Sequence, residues 1–191
     1  MRQGKHAADE SMPRSLEIIS SISELAELAP ERLKPVGLDI FHHVHADLDG
    51  KGTGIDCSLP FALTTYFNAR EPGEADRLLP SASACQRADE DIVHKITQAT
   101  FSKPVLDFVY AVSACLNLIM ADRPLYTQRC LIDVCAQSVL AADAVIEVKQ
   151  KLQIPVLDET AWQVAYLEAV LVEERPLELP EGRLRNSPLA S

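Results

Sequence analysis

Clustered positive charge is what this sequence most conspicuously lacks. Its 18 lysines and arginines are scattered among 28 acidic residues, for a net charge of −10. Phosphate backbones and anionic lipid surfaces are gripped by concentrated basic side chains, so no nucleic-acid and no membrane partner is expected. The same charge favours solubility or a basic protein surface. Cysteine is scarce and badly spaced for scaffolding. Cys57, Cys85, Cys115, Cys130 and Cys135 make an odd count with no Cys-x-x-Cys, which suits neither a disulfide framework nor a zinc knuckle and predicts reduced core thiols. No secretory apolar region follows Arg2 and Lys5, because Glu17, Glu24 and Glu27 interrupt it; the reading is a cytoplasmic protein. There is no Gly-x-Ser-x-Gly elbow, no glycine-rich phosphate loop with lysine and no Glu-x-x-His pattern, so the sequence leans away from an enzyme.

What is present is helical periodicity. Apolar residues make up 47% of the chain, enough to bury one sizeable core. The expected organisation is a flexible N-terminal tail at 1–14, a single helical domain at 15–174 and a flexible C-terminal tail at 175–191, both ends being rich in polar residues, proline or glycine. The fold class is mainly α, a helical bundle of about five helices with a small β-hairpin near residues 38–59.

Leu16, Ile19, Ile22, Leu25 and Ala29 predict a first amphipathic helix stopped by Pro30. Ser58 and Pro60 open a short helix reaching about Asn68. Cys85, Ala88, Ile92, Ile96 and Ala99 give another stripe, with His94 on its wet face. The segment VLDFVYAVSACLNLIMA, residues 105–121, is apolar almost all round yet contains Asp107; it is short of the roughly 20 residues a membrane span needs and reads as a buried central helix. A heptad-like run from about Tyr126 to Leu152 carries Leu131, Val134, Ser138, Ala141, Val145, Val148 and Leu152. Asp158 begins a last helix bearing Trp162, Ala165, Leu167, Ala169, Val170 and Val172, which ends before Pro176.

One stretch stands apart. HHVHADLDGKGTGID, residues 42–56, packs three of the five histidines beside aspartates and glycines. As a strand, Leu38, Ile40, His42, Val44, Ala46 and Leu48 take one face and Asp39, Phe41, His43, His45, Asp47 and Asp49 the other, with Asp49-Gly50 as the turn and Ile55, Cys57 and Leu59 returning. A helix from Pro35 closed by Gly50 competes, since Ile40, Phe41, Val44 and Leu48 also satisfy a helical period.

HADLDGKGTGID resembles an EF-hand calcium loop, with Asp47, Asp49, Gly50 and Asp56 in place and His45 where a carboxylate belongs. HVHADL is similar to the His-x-His-x-Asp-His zinc motif of the metallo-β-lactamases at His43, His45 and Asp47, with Leu48 replacing the last ligand. DLDGKGTG resembles the first Asp-x-Asp-Gly motif of the Asp-His-His phosphoesterases at Asp47, Asp49 and Gly50, although no Asp-His-His follows. These resemblances imply metal ligands at His43, His45, Asp47 and Asp49, completed by Asp56 or His94, and frame one functional alternative: a metal-dependent hydrolase or a divalent-metal-binding protein.

The leading expectation is instead a non-catalytic helical protein–protein interaction module, an acidic adaptor, regulator or chaperone-like subunit without a cofactor. Trp162, Tyr166 and Leu167 are its expected interface anchors, because aromatic side chains dominate binding energy. A homodimer is expected to pack through the 126–152 helix, whose seam Val145 marks, or through the 159–174 helix.

Overall fold

The computed structural model describes residues 13–49, 53, 55–68 and 79–175. Among these the regular structure is helical throughout: α1 (Arg14–Leu28), a single 3-10 turn (Pro30–Arg32), α2 (Leu33–Leu48), α3 (Phe61–Asn68), α4 (Ala82–Gln98), α5 (Lys103–Met120), α6 (Pro124–Asp143), α7 (Ile146–Lys151) and α8 (Glu159–Glu174). Each boundary has a local cause. Ala29 precedes a proline and leaves the helical region at φ −148°, ψ 70°, as steric conflict with the proline ring requires. Pro35, Pro104 and Pro124 all lie in the first turn of their helices, where a missing N–H costs nothing. Ser81 caps α4 by accepting from the Ala84 N–H at 3.3 Å, and Asp158 caps α8 by accepting from the Ala161 N–H at 2.9 Å, each satisfying an orphan donor.

The expected hairpin at 38–59 is α2 instead. Leu33, Val36, Leu38, Ile40, Phe41, Val44 and Leu48 are all buried along it; a period of 3.6 gathers all but Leu38 on one side, whereas a period of 2 would turn Leu33 and Phe41 to the opposite face. The alternation also placed Phe41 on the polar face and Ala46 on the apolar one, whereas Phe41 is buried and Ala46 exposed. A lone two-stranded ribbon has no third strand on which to bury its apolar face, and sixteen residues of helix do. The Asp49-Gly50 turn falls at the edge of the described residues, with Gly50 outside them, as do residues 1–12 and 176–191 of the expected tails.

Two stripes shift. In α1 the buried residues are Ile18, Ile22 and Leu25, while Leu16 and Ile19 face water. The run from 126 to 152 breaks at Ala144–Val145 into α6 and α7. Its seam at Leu131, Val134, Ser138, Ala141 and Val145 is buried as expected, and Leu152 is exposed.

At the centre α5 packs against α6, α4 and α2, and α2 lies on α6. By length and composition α5 could cross a membrane; here its Phe108, Ala111, Cys115, Leu116 and Leu118 join the core. Gly37 permits the closest approach. A Cβ there would overlap the end of the Leu118 side chain and press on Leu131, so a larger residue at this turn would require both leucines to shift. Lys34 extends from α2 to donate to the Ile119 carbonyl at 2.8 Å, capping the negative end of α5.

α8 runs antiparallel to α2, as three contacts in order make plain: Arg32 with Glu174 at 2.7 Å, Tyr166 with Asp39 at 2.8 Å and His43 with Glu159 at 2.9 Å. It runs parallel to α1, with Arg14 on Asp158 at 2.5 Å and Arg175 on Glu24 at 2.9 Å. α4 packs chiefly on α5 and meets α3, and Cys85 is its only fully buried residue.

Candidate functional site

Two places combine chemistry with geometry. The first is a polar seam where α2, α7 and α8 converge. His43 and Asp47 lie one turn apart on α2 and so share a face. Asp47 pairs with Lys149 of α7, and both are nearly inaccessible. Glu159 Oε2 accepts from His43 Nδ1 at 2.9 Å, and its other oxygen accepts from Gln163 Nε2 at 3.0 Å. The same Gln163 nitrogen donates to the Cys135 carbonyl of α6 at 3.2 Å. Burial pushes the Glu159 carboxyl up to about 7, and the negative charge of Asp47 adds to it, against the opposing effects of Gln163 and Lys149.

An aromatic stack covers the seam's outer side. The His43 ring lies 3.6 Å from Trp162 at an interplanar angle of 4°, and Trp162 lies 5.0 Å from Tyr166 at 5°. The Tyr166 hydroxyl donates to Asp39. Two buried polar atoms nearby in sequence, Ser138 Oγ and Gln163 Oε1, have no hydrogen-bond partner among the described residues.

The residues singled out from the sequence are thus dispersed. His43 and Asp47 enter the seam. His45 turns to another face, its Nε2 at 3.1 Å from the Cys57 carbonyl. Asp49 is exposed just past the end of α2, and His94 is exposed on α4. Asp56 accepts from the backbone N–H of Ser58 at 3.0 Å. The strand that would have aligned His43, His45, Asp47 and Asp49 does not exist, and among the described residues no group of three or more His, Cys, Asp or Glu is disposed to hold a metal ion. Trp162 and Tyr166 are half-buried in the stack, while Leu167 and Val145 are wholly enclosed by the chain's own core.

Sequence reasoning missed Lys149, Glu159 and Gln163. Their signal was faint: Gln163 stands four residues after Glu159 on the side of α8 that continues to Leu167 and Val170, and Lys149 follows Val145 by one turn. The five cysteines are buried thiols. Desolvation holds Cys57 up at about 11 and Cys135 at about 12, so neither is a ready nucleophile.

The second place is an open cleft of about 690 Å³ bounded by α3, α4 and the N-terminal half of α5. Phe108 and Val112 form its closed floor, and Ile92, Ile96, Val105 and Val109 its half-buried walls. Phe61 stands at the mouth with 86% of its surface exposed. Arg87, Asp91 and Lys95 line the α4 rim, and Asp56, held by Ser58, lies across from them within reach of the charge of Lys95. Such a cleft, mostly apolar with a few polar groups at its edge, has the size and character of a binding site. Compared with known protein families, curated proteins and solved structures, the chain matches none.

Proposed function

We propose that this protein is a non-catalytic helical interaction module, an acidic adaptor that receives an apolar segment of a protein partner in the α3–α4–α5 cleft. The observation that carries this reading is the cleft itself: a phenylalanine 86% exposed stands beside an apolar depression of about 690 Å³. Water in contact with such a surface is costly, at about 25 cal/mol per Å² of apolar area, and a partner that displaces it recovers that energy. The expected anchors Trp162 and Tyr166 contribute within the chain, stacked between α2 and α8, so the interaction surface moves from α8 to α3 and α4.

Photocrosslinking tests the reading. A photoreactive phenylalanine analogue replaces Phe61 in one variant and Val172, which is exposed on the far helix α8, in another. The expected result is a discrete adduct from position 61, mapped by mass spectrometry to one partner segment, with none from position 172. An adduct joining two copies of the chain would make the partner a homodimer mate, with light scattering giving its size. Equal or absent adducts at the two positions would overturn the proposal.

A further inference from the structure

Arg87, Asp91 and Lys95 follow one another at intervals of four on α4, and all three are exposed and line the cleft. Residues so spaced lie one turn apart, roughly 6 Å along the axis, on one side of a helix. The signs alternate, plus, minus, plus. None of the three forms a salt bridge with a described residue, and the Arg87 Nε donates only to the Ser83 carbonyl of its own helix, at 3.2 Å. Some exposed charges elsewhere find partners, as Arg175 does with Glu24 and Glu168, and Lys103 with Asp107, while others, such as Glu27, Glu147 and Lys151, are left to water as these are. The rim of the apolar cleft therefore holds a ladder of charges left to water.

From this juxtaposition of an apolar trough and a parallel charge ladder with helical repeat, we infer that the occupant of the cleft is an amphipathic α-helix of a partner protein carrying an acidic–basic–acidic ladder beside its apolar stripe. The inference rests on the proposed reading of the cleft as a docking site and specifies what docks. A helix presents apolar anchors at i, i+3, i+4 and i+7 to a groove and charges on the flank at the same turn spacing. The three charges span about 12 Å in two turns of α4, which a partner helix matches turn for turn. The complementary order reads the same in both directions, so the pairing holds for a parallel or an antiparallel partner. Asp56 on the opposite side disfavours a second acidic flank there, which confines the partner's acidic ladder to the α4 side.

The test uses the full chain and two fluorescently labelled, helix-stabilised peptides with identical leucine stripes. One carries Glu, Lys and Glu at i, i+4 and i+8 on the flank, and the other carries Lys, Glu and Lys. By fluorescence anisotropy the first is expected to bind at least about tenfold more tightly at low salt, since three rim pairs each contribute modestly, and the gap narrows as ionic strength rises. In the R87E/D91K/K95E variant the preference reverses. All three sites are exposed, and circular dichroism checks that the helices survive; the neutral R87Q/D91N/K95Q variant, expected to bind both peptides alike, serves as a second form of the test. Equal affinities, an order unchanged by charge reversal, or no binding of either peptide overturns the inference. A crosslink at position 61 alongside such a failure leaves the cleft a docking site for something other than this helix, whereas failure of both removes the docking site as well.

Discussion

The seam between α2, α7 and α8 and the cleft between α3, α4 and α5 handle polar and apolar groups in opposite ways. In the seam, charged and amide groups are buried, and all but the Gln163 carbonyl oxygen find partners among the described residues: Asp47 with Lys149, Glu159 with His43 and Gln163, Gln163 Nε2 with the Cys135 carbonyl. In the cleft, apolar side chains meet water, and the charges of Arg87, Asp91 and Lys95 stay unpaired at the rim. Buried polar contacts are directional and costly to break, so they hold helices in one register. Exposed apolar surface is undirected and available to whatever covers it. One region stabilises the fold and the other keeps its capacity for contact.

The largest expected effect comes from breaking the seam. Lys149→Ala leaves Asp47 buried without its cation, a loss of about 3–5 kcal/mol, which urea denaturation would register as a lowered midpoint. Replacing Asp47 and Lys149 together by Asn and Met should recover much of that loss, because the cost lies in the orphaned charge.

The next effect is one of pH. Glu159 has its carboxyl raised from 4.5 to about 7 in the folded chain, so between those values the folded state holds a proton that the unfolded state has released. Stability from this group is fully present below about 4.5 and is lost as the pH rises through about 7. The groups facing it are His43 and Asp47 from α2, Lys149 from α7, and Asp158 and Gln163 from α8. The loss amounts to on the order of 3 kcal/mol. Melting temperatures of the protein and of Glu159→Gln, whose amide stands for the neutral carboxyl, should therefore converge at low pH and separate as the pH rises through about 7, with the variant the more stable there. Superimposable pH profiles for the two proteins would remove Glu159 from the account.

A smaller change lies in α6, outside the seam. Ser138 Oγ is buried without a partner, so Ser138→Ala removes an unsatisfied hydroxyl and is expected to raise stability by about 1 kcal/mol. Smallest of all is the effect of Phe61→Ser on the isolated protein, within about 0.5 kcal/mol of zero, even though it should abolish partner capture. A strong destabilisation would mean that Phe61 belongs to the fold and the cleft is a defect in packing.

Most of the helices were legible because their apolar residues repeat over several turns and their ends carry proline, serine or aspartate. The central helix, the buried 131–145 seam and the Asp158 cap all follow from such local signals. The stretch at 38–49 was ambiguous because Ile40, Val44 and Leu48 fit both periods, and the buried Leu33, Val36 and Phe41 decide for a helix. The seam was half legible: His43 and Asp47 drew attention as a pair, but their partners Glu159 and Lys149 come from more than a hundred residues away, and no spacing rule links them. The cleft was not legible at all. It is lined by residues of α3, α4, α5 and the segment before α3, brought together by helix packing that leaves no mark on any one stripe.

The central claim is that partner binding is confined to the cleft, away from the seam, and hydrogen exchange followed by mass spectrometry tests it most directly. The full chain is compared with and without a saturating amount of the peptide carrying the Glu–Lys–Glu ladder. The account predicts added protection in α3, α4 and the first turns of α5, with α2 and α8 unchanged. Protection centred on α8, or none in α4, would contradict it.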